Sequence, residues 1–248
     1  MTNIINLELK KIFNKKGLII SWVFALFLGY VSVRNFTVAD SYADLFIKYY
    51  GLAPLMGILM FSMFSGSFVL EYSSNMDSII KSTKNGKNRL VLAKSIAYTI
   101  AASIVNLSIL IVMSFKIISG NNFKGLDMAI KNIGYFGNSG LNITVLQMLM
   151  ITCLTVILGS FFFAQLGLWL SSISNKAVLP FFVGGLIMGI PYFIHSKIGG
   201  FTPLWGMYSS EIIRYKVGIL GFLVFIILST VGSFVLYKLA DKGFSKER

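Results

Sequence analysis

The sequence predicts an all-α integral membrane protein with six transmembrane helices and both termini in the cytoplasm. Three observations carry that expectation. Of the 248 residues, 56% are hydrophobic and only 12% charged, with a mean hydropathy of +0.78, a balance no soluble domain shows. Uncharged stretches of about 20 residues recur, the length that crosses a ~30 Å hydrocarbon core as helix. The 22 Lys and Arg gather in a few of the segments between those stretches.

The first element, residues 1–16, places Ile5, Leu9, Ile12 and Phe13 at helical spacing on one face, with Lys10, Lys11, Lys15 and Lys16 elsewhere. This is the pattern of a helix lying in the membrane interface. A signal peptide is the rival, but Glu8 and the lack of an A-x-A site after the apolar run disfavour it. Six spans follow at 17–33, 52–70, 95–115, 144–170, 177–194 and 217–237. In the fifth of these, Pro180, Gly184, Gly185 and Pro191 predict a kink whose freed carbonyls need partners. The chain reads as a single transmembrane domain, 1–248.

Orientation follows from the cations. The segments 1–17, 71–94, 171–176 and 238–248 hold fourteen of them, and 34–51, 116–143 and 195–216 hold eight. The richer set is assigned to the cytoplasm. The net charge of +13 then describes a basic surface against anionic lipid and requires no nucleic acid.

Enzyme chemistry is sparse. One His, one Cys and carboxylates confined to loops or their edges offer no metal site, and Cys153 falls in mid-membrane as a small packing residue. "KSTKNGKNR" (81–89) lacks the upstream glycine and following hydroxyl of a P-loop, so no catalytic residue or cofactor is assigned. "GNSG" (137–140) with His195 resembles the Ser/His dyad of rhomboid intramembrane proteases. However, Ser139 lies in a turn-forming Gly/Asn loop, and the dyad demands hydrogen-bond reach.

The densest polar segment is 71–94, between the second and third spans. Met76, Ile79, Ile80 and Thr83 recur at i, i+3, i+4 and i+7, predicting a short amphipathic helix that stops near Asn85 and Gly86. Lys81, Lys84, Lys87 and Arg89 gather at its end and beyond. Its apolar face fits a groove on a cytoplasmic partner. The plainer alternative is a solvated loop obeying the positive-inside rule.

An interfacial first helix, six spans, a helical first cytoplasmic loop and a minimal second one together resemble a type-2 permease of the ATP-binding-cassette (ABC) exporters. The family pattern after the second span (a Glu, a small or hydroxyl pair, an Arg, then a Lys opening the third span) falls here on Glu71, Ser82-Thr83, Arg89 and Lys94. "KNGKN" (84–88) stands where many members have a Pro-containing turn, and Asp77 where the residue is often small. "FTPLWGM" (201–207) resembles the family's outer Pro-aromatic segment.

The resemblance implies two permease chains, identical or paralogous, paired with two separate ATPase chains that carry the ATP and Mg²⁺. Glu71, Met76, Asp77, Ile79, Ile80, Thr83 and Arg89 would form the coupling contact with that motor. It further implies a bacterial plasma membrane, and the size and layout look most like Gram-positive bacteriocin-immunity or antimicrobial-peptide export systems. A rhomboid-like protease and a non-catalytic membrane scaffold or sensor are the alternatives from other classes. For the cargo, Met56, Met60 and Met63 share one face of the second span and offer an adaptable path for a peptide or lipid-like substrate, although ordinary packing or lipid contact is the plainer reading of Met in an apolar helix. No acidic residue lies well inside a span, which disfavours an ion-coupled transporter.

Overall fold

The computed structural model describes residues 1–83, 86–137, 141–174, 176–193 and 218–245. Ser139, His195, Lys84, Asn85 and the segment 201–207, all singled out above, lie outside the described residues. The described chain is all-helical. Three helices are long and apolar enough to cross a membrane, or up to five if each of two bent pairs counts as one span.

Helix α1 (Thr2–Phe13) turns by 70° into α2 (Lys16–Ser32). Ile12 is buried, and Ile5, Leu9 and Phe13 pack against the core, so the apolar stripe read from the sequence faces protein, chiefly α7. At the far end of α2, Lys116 donates to the carbonyls of Tyr30 and Val33, each at 2.7 Å. Those are two of the carbonyls that a helix end leaves without an intrahelical partner.

The span expected at 52–70 is not one continuous helix. In its place α3 (Val38–Gly51), capped by Thr37, bends by 43° into α4 (Ala53–Phe64), and a turn separates α4 from α5 (Val69–Ser73). The reason is local and then distant. Ser62 and Ser67 turn their hydroxyls back onto the carbonyls of Leu59 and Phe64, which weakens the helix ladder. Lysines from elsewhere take freed carbonyls: Lys15 donates to Met63 O at 3.3 Å and Lys94 to Ser67 O at 2.6 Å. With 12 residues, α4 alone reaches only about 18 Å, short of a hydrocarbon core unless α3 and α4 count as one bent span.

A short α6 (Met76–Ser82) precedes α7 (Gly86–Gly120), which runs unbroken for 35 residues, about 52 Å. Lys87, Arg89 and Lys94 therefore belong to the opening turns of α7 rather than to the end of α6. Helices α8 (Val145–Ser172), α9 (Val178–Phe193) and α10 (Gly218–Ser245) complete the bundle. Thr144 and Gln147 form a reciprocal capping box that starts α8. α8 is the central element, packed between α7 and α10.

The core is aromatic where α4 meets its neighbours. Phe64 lies against Gly167 of α8 and Phe61 against Gly184 of α9, so closely that a Cβ at either glycine would collide with the ring. Phe61 and Phe163 meet edge to face with centroids 6.2 Å apart, and Phe64 and Tyr98 at 5.8 Å. Between α7 and α8 neutral polar groups pair across the core. Ser95 donates to Gln165 at 3.0 Å and Asn106 to Ser160 at 3.0 Å, each the kind of interhelical bond worth about 0.6 kcal/mol in a membrane.

Candidate functional site at the polar hinge

The hinge is organised around one buried cation. Lys94 is 1% exposed, a burial that lysines accept only when fully paired. An ammonium has three protons to give, and here three acceptors surround it. Glu8 Oε2 is at 2.9 Å, Glu71 Oε1 at 3.0 Å and the Ser67 carbonyl at 2.6 Å. The nitrogen also sits 5.3 Å from the centroid of the Phe68 ring. Lys11 closes the cluster, 2.6 Å from Glu8 Oε1 and 3.8 Å from Glu71 Oε1.

Its members arrive on three elements, with Glu8 and Lys11 together on α1. Glu8 interrupts the apolar stripe of α1, one turn before Ile12. Glu71 lies in the middle of α5, and Lys94 in the third turn of α7. Removing one partner from such a cluster strands a buried charge and costs about 3–5 kcal/mol. Burial by itself pushes the Glu8 carboxyl up, but Lys94 and Lys11 outweigh it and hold the group below its ordinary value of 4.5.

The same segment is tied to the other side of the bundle. Phe68 N donates to Ser171 Oγ at 3.2 Å and Tyr72 OH to Ser172 O at 2.9 Å, both at the end of α8. Phe68 stacks on Phe244 of α10 at 4.9 Å, and Lys87 pairs with Asp241 at 3.4 Å. A displacement of α5 therefore loads α1, α7, α8 and α10 together.

Helix α6 projects from this anchor. Asn75 takes a left-handed backbone, φ 52°, and redirects the chain into it. Ile79 is 65% exposed and Met76 is exposed as well, whereas Ile80 is half-buried against the core. Asp77 is half-buried, and Thr83 is exposed with its hydroxyl on Ile80 O at 2.8 Å. Between α1, α6 and the start of α7 runs a groove of about 410 Å³, walled by Ile4, Leu7, Ile80 and Leu90 and reached by Glu8 and Glu71.

Of the sequence-derived set, Glu71, Met76 and Ile80 thus converge on one groove. Arg89 is exposed in the first turn of α7, and it is Lys94, further along the same helix, that meets Glu71. Met56, Met60 and Met63 are completely buried in the core, where Met60 Sδ accepts from Asn106 Nδ2 at 3.2 Å. The sequence reading missed Glu8 and Lys11 as site residues. The available signal was an acid placed between Ile5 and Ile12 on an apolar face.

Among the described residues no group of three or more His, Cys, Asp or Glu is placed to hold a metal ion. The hinge fixes α1, α5 and α7 to one ammonium and leaves the apolar tip of α6 open. Compared with known proteins, the chain matches no family model, no curated protein and no solved structure.

Proposed function

We propose that this chain is the membrane-spanning subunit of a type-2 ABC exporter, moving a hydrophobic or amphipathic substrate, peptide or lipid-like, outward across a plasma membrane. In this reading six crossings (α2, the α3–α4 pair, α7, α8, α9 and α10) leave both termini in the cytoplasm. The chain pairs with an identical or paralogous permease and with two ATPase chains that bind the ATP and Mg²⁺. It performs no covalent chemistry itself.

The observation that carries the reading is the exposed apolar tip of α6, Met76 and Ile79, mounted directly on the buried Lys94 cluster. A solvated loop has no need of exposed aliphatic side chains on a braced support. A docking helix has need of both, because it must bury an apolar face in a partner and pass the partner's movement to the spans.

Copurification from native membranes tests it. A P-loop ATPase should accompany the chain, and Ile79→Asp, which sets a carboxylate in the docking contact, should insert normally yet lose the partner. An unpaired charge buried there costs several kcal/mol, a loss of orders of magnitude in affinity. Absence of any ATPase from the wild-type complex, or full retention by Ile79→Asp, would reject the assignment.

A further inference from the structure

The corner where α1 turns into α2 carries more positive charge than its carboxylates answer. Lys10, Lys11, Lys15 and Lys16 all fall there, and the charge of Lys94 reaches Lys15 from the core side. Against these cations stand Glu8 and Glu71, both buried and both already facing Lys94 and Lys11. Lys10, Lys15 and Lys16 are exposed, and among the described residues no carboxylate pairs with any of them. Lys15 shows the imbalance most directly. Its ammonium is tucked against the end of α4, where it donates to Met63 O at 3.3 Å, and the described residues give its other two protons no acceptor. Burial and the Lys94 charge push its pKa below the ordinary 10.5, and Glu8, pulling the other way, does not restore it.

Beyond the cations the surface turns apolar. Lys16 opens α2, and Ile20, Val23, Phe24 and Phe27 follow it at i+4, i+7, i+8 and i+11, which is one face of a helix. All four are exposed. A cation at the head of such a stripe suits a ligand that is anionic at one end and apolar along its length. We propose that the α1–α2 corner holds one anionic phospholipid, its phosphate on Lys16 with Lys15 beside it and an acyl chain along the exposed face of α2. A zwitterionic lipid has the same apolar reach, but its own ammonium adds a cation to a corner already short of anions. A free phosphate has no chain to cover the stripe. Lys238 of α10 provides the comparison. It too is exposed beside an apolar face, but its nitrogen sits 5.5 Å from the Phe234 centroid and Asp241 follows one turn on. The inference rests on α2 as one of the proposed crossings and does not involve the ATPase.

The experiment offers the purified, delipidated full chain equal amounts of phosphatidylglycerol and phosphatidylcholine with the same acyl chains, and native mass spectrometry counts the lipids retained. One phosphatidylglycerol should be held in preference to phosphatidylcholine. Lys16→Gln should weaken its retention about fivefold, and Lys15→Gln combined with Lys16→Gln about 25-fold, the effect expected of each lysine at an anionic lipid. Lys238→Gln should leave retention unchanged. Lys16 is exposed at the first residue of α2, so the single variant keeps the test decisive if the double one folds poorly. Equal retention of the two lipids, no loss in Lys16→Gln, or an equal loss in Lys238→Gln would overturn the site. So would displacement of the lipid by glycerol 3-phosphate, since the occupant would then be a free anion, or by a polyglutamate peptide, since the surface would then suit an acidic protein. Failure of an ATPase to copurify leaves these counts unchanged, so the two proposals fail separately.

Discussion

At the scale of the residue, Lys94 sets the behaviour of the hinge. Its three acceptors come from α1, α5 and the turn before α5, so truncation leaves two buried carboxylates with Lys11 as their one remaining cation. Lys94→Met should destabilise the purified protein by about 3–5 kcal/mol, read from denaturant or thermal unfolding, and adding Glu8→Gln should recover part of the loss. A cost below about 1 kcal/mol would mean the cluster is solvated. The depressed Glu8 carboxyl adds a pH signature. A lowered pKa means that its stabilisation is fully present above the unfolded value and disappears as the pH falls through the folded one, here below 4.5. Glu71 and Lys94 were legible as hinge residues because they flank a dense polar segment. Glu8, the second carboxylate on Lys94, was not, because a contact across 86 residues of sequence leaves no mark on local periodicity.

At the scale of the element, hydropathy located the long helices well and their interruptions poorly. α7, α8 and α10 coincide with three of the apolar runs read from the sequence, each long enough to cross a hydrocarbon core as helix. The break after Phe64 depends on Lys15 and Lys94 reaching its carbonyls, which no window over 52–70 contains. α3 was passed over because Asp40, Asp44 and Lys48 dilute its hydropathy, although Thr37 and Asp40 carry a helix-start signal. Glycines also act at this scale. Gly184 meets the Phe61 ring, whereas nothing lies within 4 Å of a Cβ at Gly185. Gly184→Ala should therefore cost about 1–3 kcal/mol through overpacking of α4 on α9, while Gly185→Ala should leave thermal stability nearly unchanged. Equal effects at the two positions would contradict the described packing.

At the scale of the whole molecule, the account requires one end of the bundle to face the cytoplasm and to be covered there by a motor. The hinge, the end of α8 and the end of α10 are bonded into one unit, while Lys116, Tyr42 and Lys124 organise the connections at the opposite end of α7. The cation distribution assigned the first of these ends to the cytoplasm. The most direct measurement places single cysteines at Ser78 on α6 and Lys124 at the other end, in a Cys153→Ser background, and exposes cells to a membrane-impermeant thiol reagent. The account predicts that Lys124→Cys labels on intact cells. Ser78→Cys should label only after permeabilisation, and more slowly when the ATPase is bound than when it has been stripped away. Labelling of Ser78→Cys on intact cells, or a rate indifferent to the ATPase, would contradict it.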